Sequence, residues 1–138
     1  MQNYYDSDKF WGDKIGLIKK FEDIEAWQKA RELTNKIYEI SSTNDFANDF
    51  TLKGQTRKAS MSIMLNIAEG YARRSNREVR QFLNYAHGSC AEVQSALYLA
   101  FDQKYISQQQ FNNIYKCTEE ISKMIASFSI YLRNKIAK

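Results

Sequence analysis

Apolar residues recur at three- and four-residue steps through most of this chain, and polar runs cut the pattern into four segments. In the first, Ile24, Trp27, Ala30, Leu33 or Thr34, Ile37 and Ile40 gather on one stripe, the spacing of a helix that buries one face. Glu22, Asp23 and Glu25 complement the helix dipole at its start. A helix is therefore predicted over 22–40, stopping in the turn-forming run at 41–49, SSTNDFAND. A second helix is predicted over 50–71, with Leu52, Thr56, Ala59, Ser60, Ile63, Met64 and Ile67 inward. Ser60, Ser62 and Asn66 interrupt that inner surface. Ser62 and Asn66 lie four apart and Asn66 and Glu69 three apart, so they are neighbours on the helix. Gly70 ends the segment, either as a C-cap or as a point of close helix approach.

Ser75 followed by Glu78 is a capping-box pattern and opens a third helix. It runs to about Phe101 with Val79, Phe82, Leu83, Ala86, Cys90, Val93, Leu97 and Ala100 inward. Gly88 sits mid-helix, where glycine costs ~1 kcal/mol against alanine, so another helix is expected to approach closely there. Ser107 with Gln110 repeats the cap. The fourth stripe is Phe111, Ile114, Cys117, Ile121, Met124 or Ile125, Phe128 and Leu132. No proline and only five glycines leave few breakers. The expectation is one domain, an all-α antiparallel up-down four-helix bundle over residues 21–138. Residues 1–20 show no sustained period. Tyr4, Tyr5, Phe10 and Trp11 are interleaved with Asp6, Asp8 and Asp13, which reads as an irregular N-terminal arm, packed on the domain or a neighbouring subunit, or as a disordered leader.

Charge changes the picture because it is local. The net charge is +4, yet residues 51–80 alone hold seven Lys/Arg against Glu69 and Glu78. Arg73, Arg74, Arg77 and Arg80 fall within eight residues, with Arg57 and Lys58 up the preceding helix. Such a patch suits a polyanion or an acidic partner; the plainer reading is a solvated arginine corner. A helix N-terminus beside the arginines adds free N–H groups for a phosphate, and arginine's planar fork suits bidentate phosphate contacts. Tyr71 and Tyr85 are candidate base-stacking surfaces or simply half-buried aromatics. With no helix-turn-helix, zinc or ribonucleoprotein motif, binding is expected to follow backbone charge and to depend strongly on salt.

The polar set Asn66, Glu69, Ser89 and Glu92 is read as a hydrogen-bonded network that fixes helix register, with Arg57 or Lys58 as counter-ions. A carboxylate metal site in a bundle needs histidines at i, i+3 from a glutamate. The single histidine, His87, has no glutamate three residues before it. His87 and Cys90 lack an orienting carboxylate and read as packing residues. No enzyme, metal or cofactor is expected. Cys90 and Cys117, without CxxC spacing, fit a reduced, cytoplasmic chain. No apolar run approaches a membrane span, and the acidic, aromatic start is unlike a signal peptide.

The segments FEDIEAWQKA at 21–30, QTRKASMSIMLNIAEG at 55–70, RRSNREVRQFLNYAHGSCAEV at 73–93 and the Gln103, Tyr105 and Ile106 corner carry a resemblance. The chain resembles the four-helix-bundle proteins of 23S ribosomal RNA intervening sequences. Their relatives include the accessory variability determinant of diversity-generating retroelements. The likeness spans about residues 21–132. It implies a non-enzymatic bundle that assembles as a homopentamer with a basic surface, and nucleic acid or a reverse transcriptase as partner. By motif, Asn66, Glu69, Gly70, Gly88, Ser89 and Glu92 match the family's polar signature. Where the family commonly has proline this chain has Met64, so its second helix is expected to be straighter. The expected function is electrostatic binding of nucleic acid, RNA or an RNA–protein complex, through Arg73, Arg74, Arg77 and Arg80. The alternative is a protein-interaction scaffold that docks an acidic partner, with Trp11 and Trp27 as candidate contacts.

Overall fold

The computed structural model describes residues 17–137, with side chains through Tyr131. Residues 1–16 of the proposed arm, with Trp11, and the side chain of Leu132 lie outside the described residues. Four helices, α1 (Glu25–Ile40), α2 (Phe50–Tyr71), α3 (Asn76–Asp102) and α4 (Gln108–Ala137), follow one another, with one-turn 3-10 helices at Phe21–Asp23 and Asn44–Asn48. Each helix packs on the next in sequence, and α4 closes the ring against α1. This is the expected up-down bundle, and there is no strand among the described residues.

The stripes meet at the centre. Ala30, Leu33, Ile37, Ile63, Ala86, Val93, Leu97, Ala100 and Ile121 are fully buried. Trp27, Met64, Val79, Phe111, Cys117 and Phe128 pack against them from the margin. Polar residues inside the core find partners on their own helix or on the next one. Thr34 donates to the Ala30 and Ser60 carbonyls, Thr56 to that of Leu52 and Thr118 to that of Tyr115. Gln94 reaches across from α3 to donate to the Thr118 hydroxyl at 2.9 Å, a polar tie across the α3–α4 seam.

The first helix starts three residues later than its stripe predicts. The Asp23 carboxylate accepts from the Lys19 and Lys20 N–H groups, which holds Phe21–Asp23 in a separate turn before an extended Ile24. The other starts follow their caps. Asp49 accepts from the Leu52 N–H, and Ser75 accepts from that of Glu78. Ser107 and Gln110 exchange backbone and side-chain bonds in a complete capping box. α2 runs without a break through Met64.

The run at 41–49 hides a core residue. Phe46 is completely buried, stacked on Tyr105 at 5.4 Å. The Tyr105 hydroxyl donates to Asp49 at 2.9 Å, the same carboxylate that caps α2. Tyr105 reaches that place because α3 ends in a Schellman turn. Lys104 takes a left-handed φ of 65°, and the Tyr105 N–H bonds back to the Ala100 carbonyl. One loop is thus clasped to the opposite one at the same end of the bundle.

The two mid-segment glycines differ. A Cβ on Gly70 would sit 3.1 Å from that of Phe82, so α2 and α3 do meet closely there. A Cβ on Gly88 would meet nothing within 4 Å. The expected close approach at Gly88 is absent because that position turns outward on α3, between buried Ala86 and Cys90.

Candidate nucleic-acid interface

The close contact at Gly70 leaves only residues 72–75 to turn the chain from α2 into α3. The last carbonyls of α2 are taken by the N–H groups of Ala72 and Arg73. So short a link keeps its side chains in solvent, and Arg73, Arg74 and Arg77 are all exposed. Arg73 is the one with side-chain partners. Its guanidinium lies 4.6 Å from the Phe82 ring centre and donates to Glu69 at 2.7 Å. That i, i+4 pair is the only ion pair among the described residues, and Arg74 and Arg77 have none.

The other predicted basic residues separate from this corner. Arg57 lies sixteen residues before Arg73, about 24 Å along the helix axis. It is pinned to the end of α1, donating to Ser41, Ser42 and the Tyr38 carbonyl and resting on the Tyr38 ring at 4.3 Å. Lys58, beside it, is exposed. Helical rise separates the two ends of α2, so Arg57 and Lys58 do not join the corner. Arg80 is half-buried with its Nε covered, and it lines a groove between α3 and α4 rather than the exposed turn.

The predicted polar set also divides. Asn66 donates to the Ser62 hydroxyl and carbonyl, and Ser89 donates to the Ser62 hydroxyl at 2.9 Å. This small relay ties α2 to α3, with Ser62 as its hub. Glu69 belongs to Arg73 instead, and Glu92 is exposed. The counter-ion expected of Arg57 or Lys58 is supplied by Arg73, which the i, i+4 spacing of Glu69 and Arg73 would have found.

Tyr71 and Tyr85 are 39% and 51% exposed but do not form one stacking surface. Tyr85 sits edge-on to Phe82 and accepts from Gln81, whereas Tyr71 lines a separate apolar cleft with Ile18 and Ile67. His87 is exposed while Cys90 is buried, and burial, helped by nearby Cys117, pushes the Cys90 thiol up to about 12. A thiol so far from ionising is a packing group. No group of three or more His, Cys, Asp or Glu able to hold a metal occurs among the described residues. No helix there is long and apolar enough to cross a membrane.

Fold and site together define a small helical-bundle protein with an arginine-rich corner at one inter-helix turn. Residues 22–127 match the 23S rRNA-intervening sequence protein family, and the chain belongs to that family. Among solved structures it is similar to a protein of unknown function from the S23 ribosomal protein family of Bacteroides thetaiotaomicron. The two are 25% identical with a TM-score of 0.68, over 74% of this chain and 95% of the other. No curated protein matches.

Proposed function

We propose that this protein is a non-enzymatic nucleic-acid-binding bundle that holds phosphates electrostatically at the α2–α3 corner. The observation that carries the reading is the turn itself. Three exposed arginines, Arg73, Arg74 and Arg77, converge at the N-terminus of a 27-residue helix against two carboxylates, Glu69 paired with Arg73 and Glu78 in the capping box. Helix N–H groups and arginine forks both favour phosphate oxygens there. The family's description names 23S rRNA intervening sequences, so structured RNA is the polyanion to test first. Self-assembly, a pentamer by resemblance, would repeat the corner around an axis. The exposed Leu65 and Phe50 on α2, at 58% and 75%, give such an assembly apolar surface to cover.

The test is fluorescence anisotropy with short structured RNA and DNA across a salt series. Wild type is compared with Arg73/Arg74/Arg77→Gln and, separately, Arg57/Lys58→Gln, with oligomer mass checked for each. The reading expects affinity that falls steeply with salt, is lost in the first variant and is largely kept in the second. No binding at low salt would end it and leave docking of an acidic protein, a reverse transcriptase among the candidates, as the use of the corner.

A further inference from the structure

We propose that the groove between α3 and α4 is a binding site for a single phosphate group, distinct from the exposed corner. Arg80, Asn84 and His87 follow one another at four- and three-residue steps and share one face of α3. Ser129 faces them from α4, with buried Ile125 as an apolar floor and exposed Ile130 at the rim. The cavity measures about 190 Å³, several times the ~30 Å³ share of one water molecule. A guanidinium, an amide, an imidazole and a hydroxyl thus line one small space from two helices, with no carboxylate among them. Donors spread over that arc suit a tetrahedral oxyanion better than a planar carboxylate, which presents only two oxygens.

Arg80 decides the matter. Its Nε is covered and has no hydrogen-bond partner, and its guanidinium has no ion pair among the described residues. What the groove offers an anion is the rest of a half-buried guanidinium that lines it without a counter-ion among the described residues. An anion is the group that such a cation gains most from, and the buried Ile125 beside it keeps solvent from one side of the pair. Arg73, Arg74 and Arg77 at the corner are more exposed than Arg80. The phosphate would be the free ion, the terminal phosphate of an oligonucleotide or a backbone diester, all with the same oxygen chemistry.

The chain has a single histidine, so the His87 imidazole C–H signal is a unique NMR reporter inside the groove. The full-length protein is titrated with sodium phosphate at fixed pH, against sodium chloride at matched ionic strength. The site predicts a saturable shift with a Kd on the order of 1 mM. The shift should weaken about tenfold or more in Arg80→Gln, weaken less in Ser129→Ala, and persist in Arg74→Gln. A tetranucleotide with and without a 5′-phosphate then separates the sources. A shift only with the phosphorylated form points to a terminal phosphate, shifts with both to a backbone diester, and shifts with neither to the free ion. A His87 signal that follows phosphate no further than chloride overturns the proposal, as does an Arg80→Gln protein that keeps the shift. Should Arg80→Gln fail to fold, Ser129→Ala and Asn84→Ala carry the comparison on the same criterion. The titration uses no contact at the corner, so it can succeed where RNA binding fails, and the reverse.

Discussion

Replacing Glu69 with Gln should strengthen nucleic-acid binding, because it releases Arg73. The pair is short, 2.7 Å, but its side chains are 38% and 50% exposed. Coulomb's law in water gives about 1.5 kcal/mol at that distance. Side-chain entropy and salt reduce exposed pairs to roughly 0.2–1 kcal/mol. A phosphate that must compete for Arg73 loses that much, so Glu69→Gln should tighten binding by about 1.4- to 5-fold at low salt. The salt slope is the sharper reading. On the proposed reading, Arg74 and Arg77 would supply two phosphate contacts while Arg73 is occupied, and three would be available once it is free. Each contact adds roughly 0.7–0.9 to the slope of log affinity against log salt, so the variant should be steeper by about that amount. Anisotropy over a salt series measures both quantities. The same substitution in an Arg73→Gln background should lose the steepening. Equal gains in both backgrounds would refute the reasoning, since Glu69 would then act only as a general repulsive charge.

Other expectations concern the scaffold. Phe46→Ala empties a fully buried site and unstacks Tyr105, and should cost about 3–5 kcal/mol by thermal or urea unfolding; a loss below about 1 kcal/mol would mean the loop is not docked. Gly88→Ala meets open space and should gain about 0.5–1 kcal/mol. Gly70→Ala must push Phe82 aside and should gain less than Gly88→Ala or lose; equal gains would contradict the close α2–α3 contact. Burial holds the folded Cys90 thiol near 12 against an ordinary 9.0, so the folded state keeps its proton more tightly. That stability is complete below about pH 9 and falls as pH rises toward 12. Cys90→Ala should flatten this alkaline decline in pH-dependent melts, and an unchanged slope would remove Cys90 as its source.

The four stripes, the caps at Ser75 and Ser107 and the bundle were legible in the sequence because helical period and capping are local properties. An apolar residue every three or four positions leaves one way to hide the stripe, and Ser followed by Glu or Gln three residues on satisfies the first free N–H groups wherever it occurs. Phe46 escaped because a lone aromatic in a polar loop has no period. Only the Schellman turn that brings Tyr105 across the bundle end makes it core. Gly88 and Gly70 look alike as letters; packing separates them, since one faces solvent and the other faces Phe82.

The candidate site divided along the same line. Residue type and spacing alone put Arg73, Arg74 and Arg77 together at a turn, because the turn is short and the residues are adjacent. Whether Arg57, Lys58 and Arg80 belong with them depends on helix length and rotation. Those place Arg57 against the end of α1 and Arg80 in the groove facing Ser129. The grouping of Asn66, Glu69, Ser89 and Glu92 dissolved for the same reason. Ser89 faces Ser62 across the α2–α3 contact, while Glu92, three residues on, stands in solvent. Local pattern determined which helices form and where they start. The Glu69–Arg73 pair is local too, four residues apart on one helix. Tertiary packing decided which other charges are pinned to a neighbouring helix and which line a groove, because those outcomes depend on distances between residues far apart in the chain.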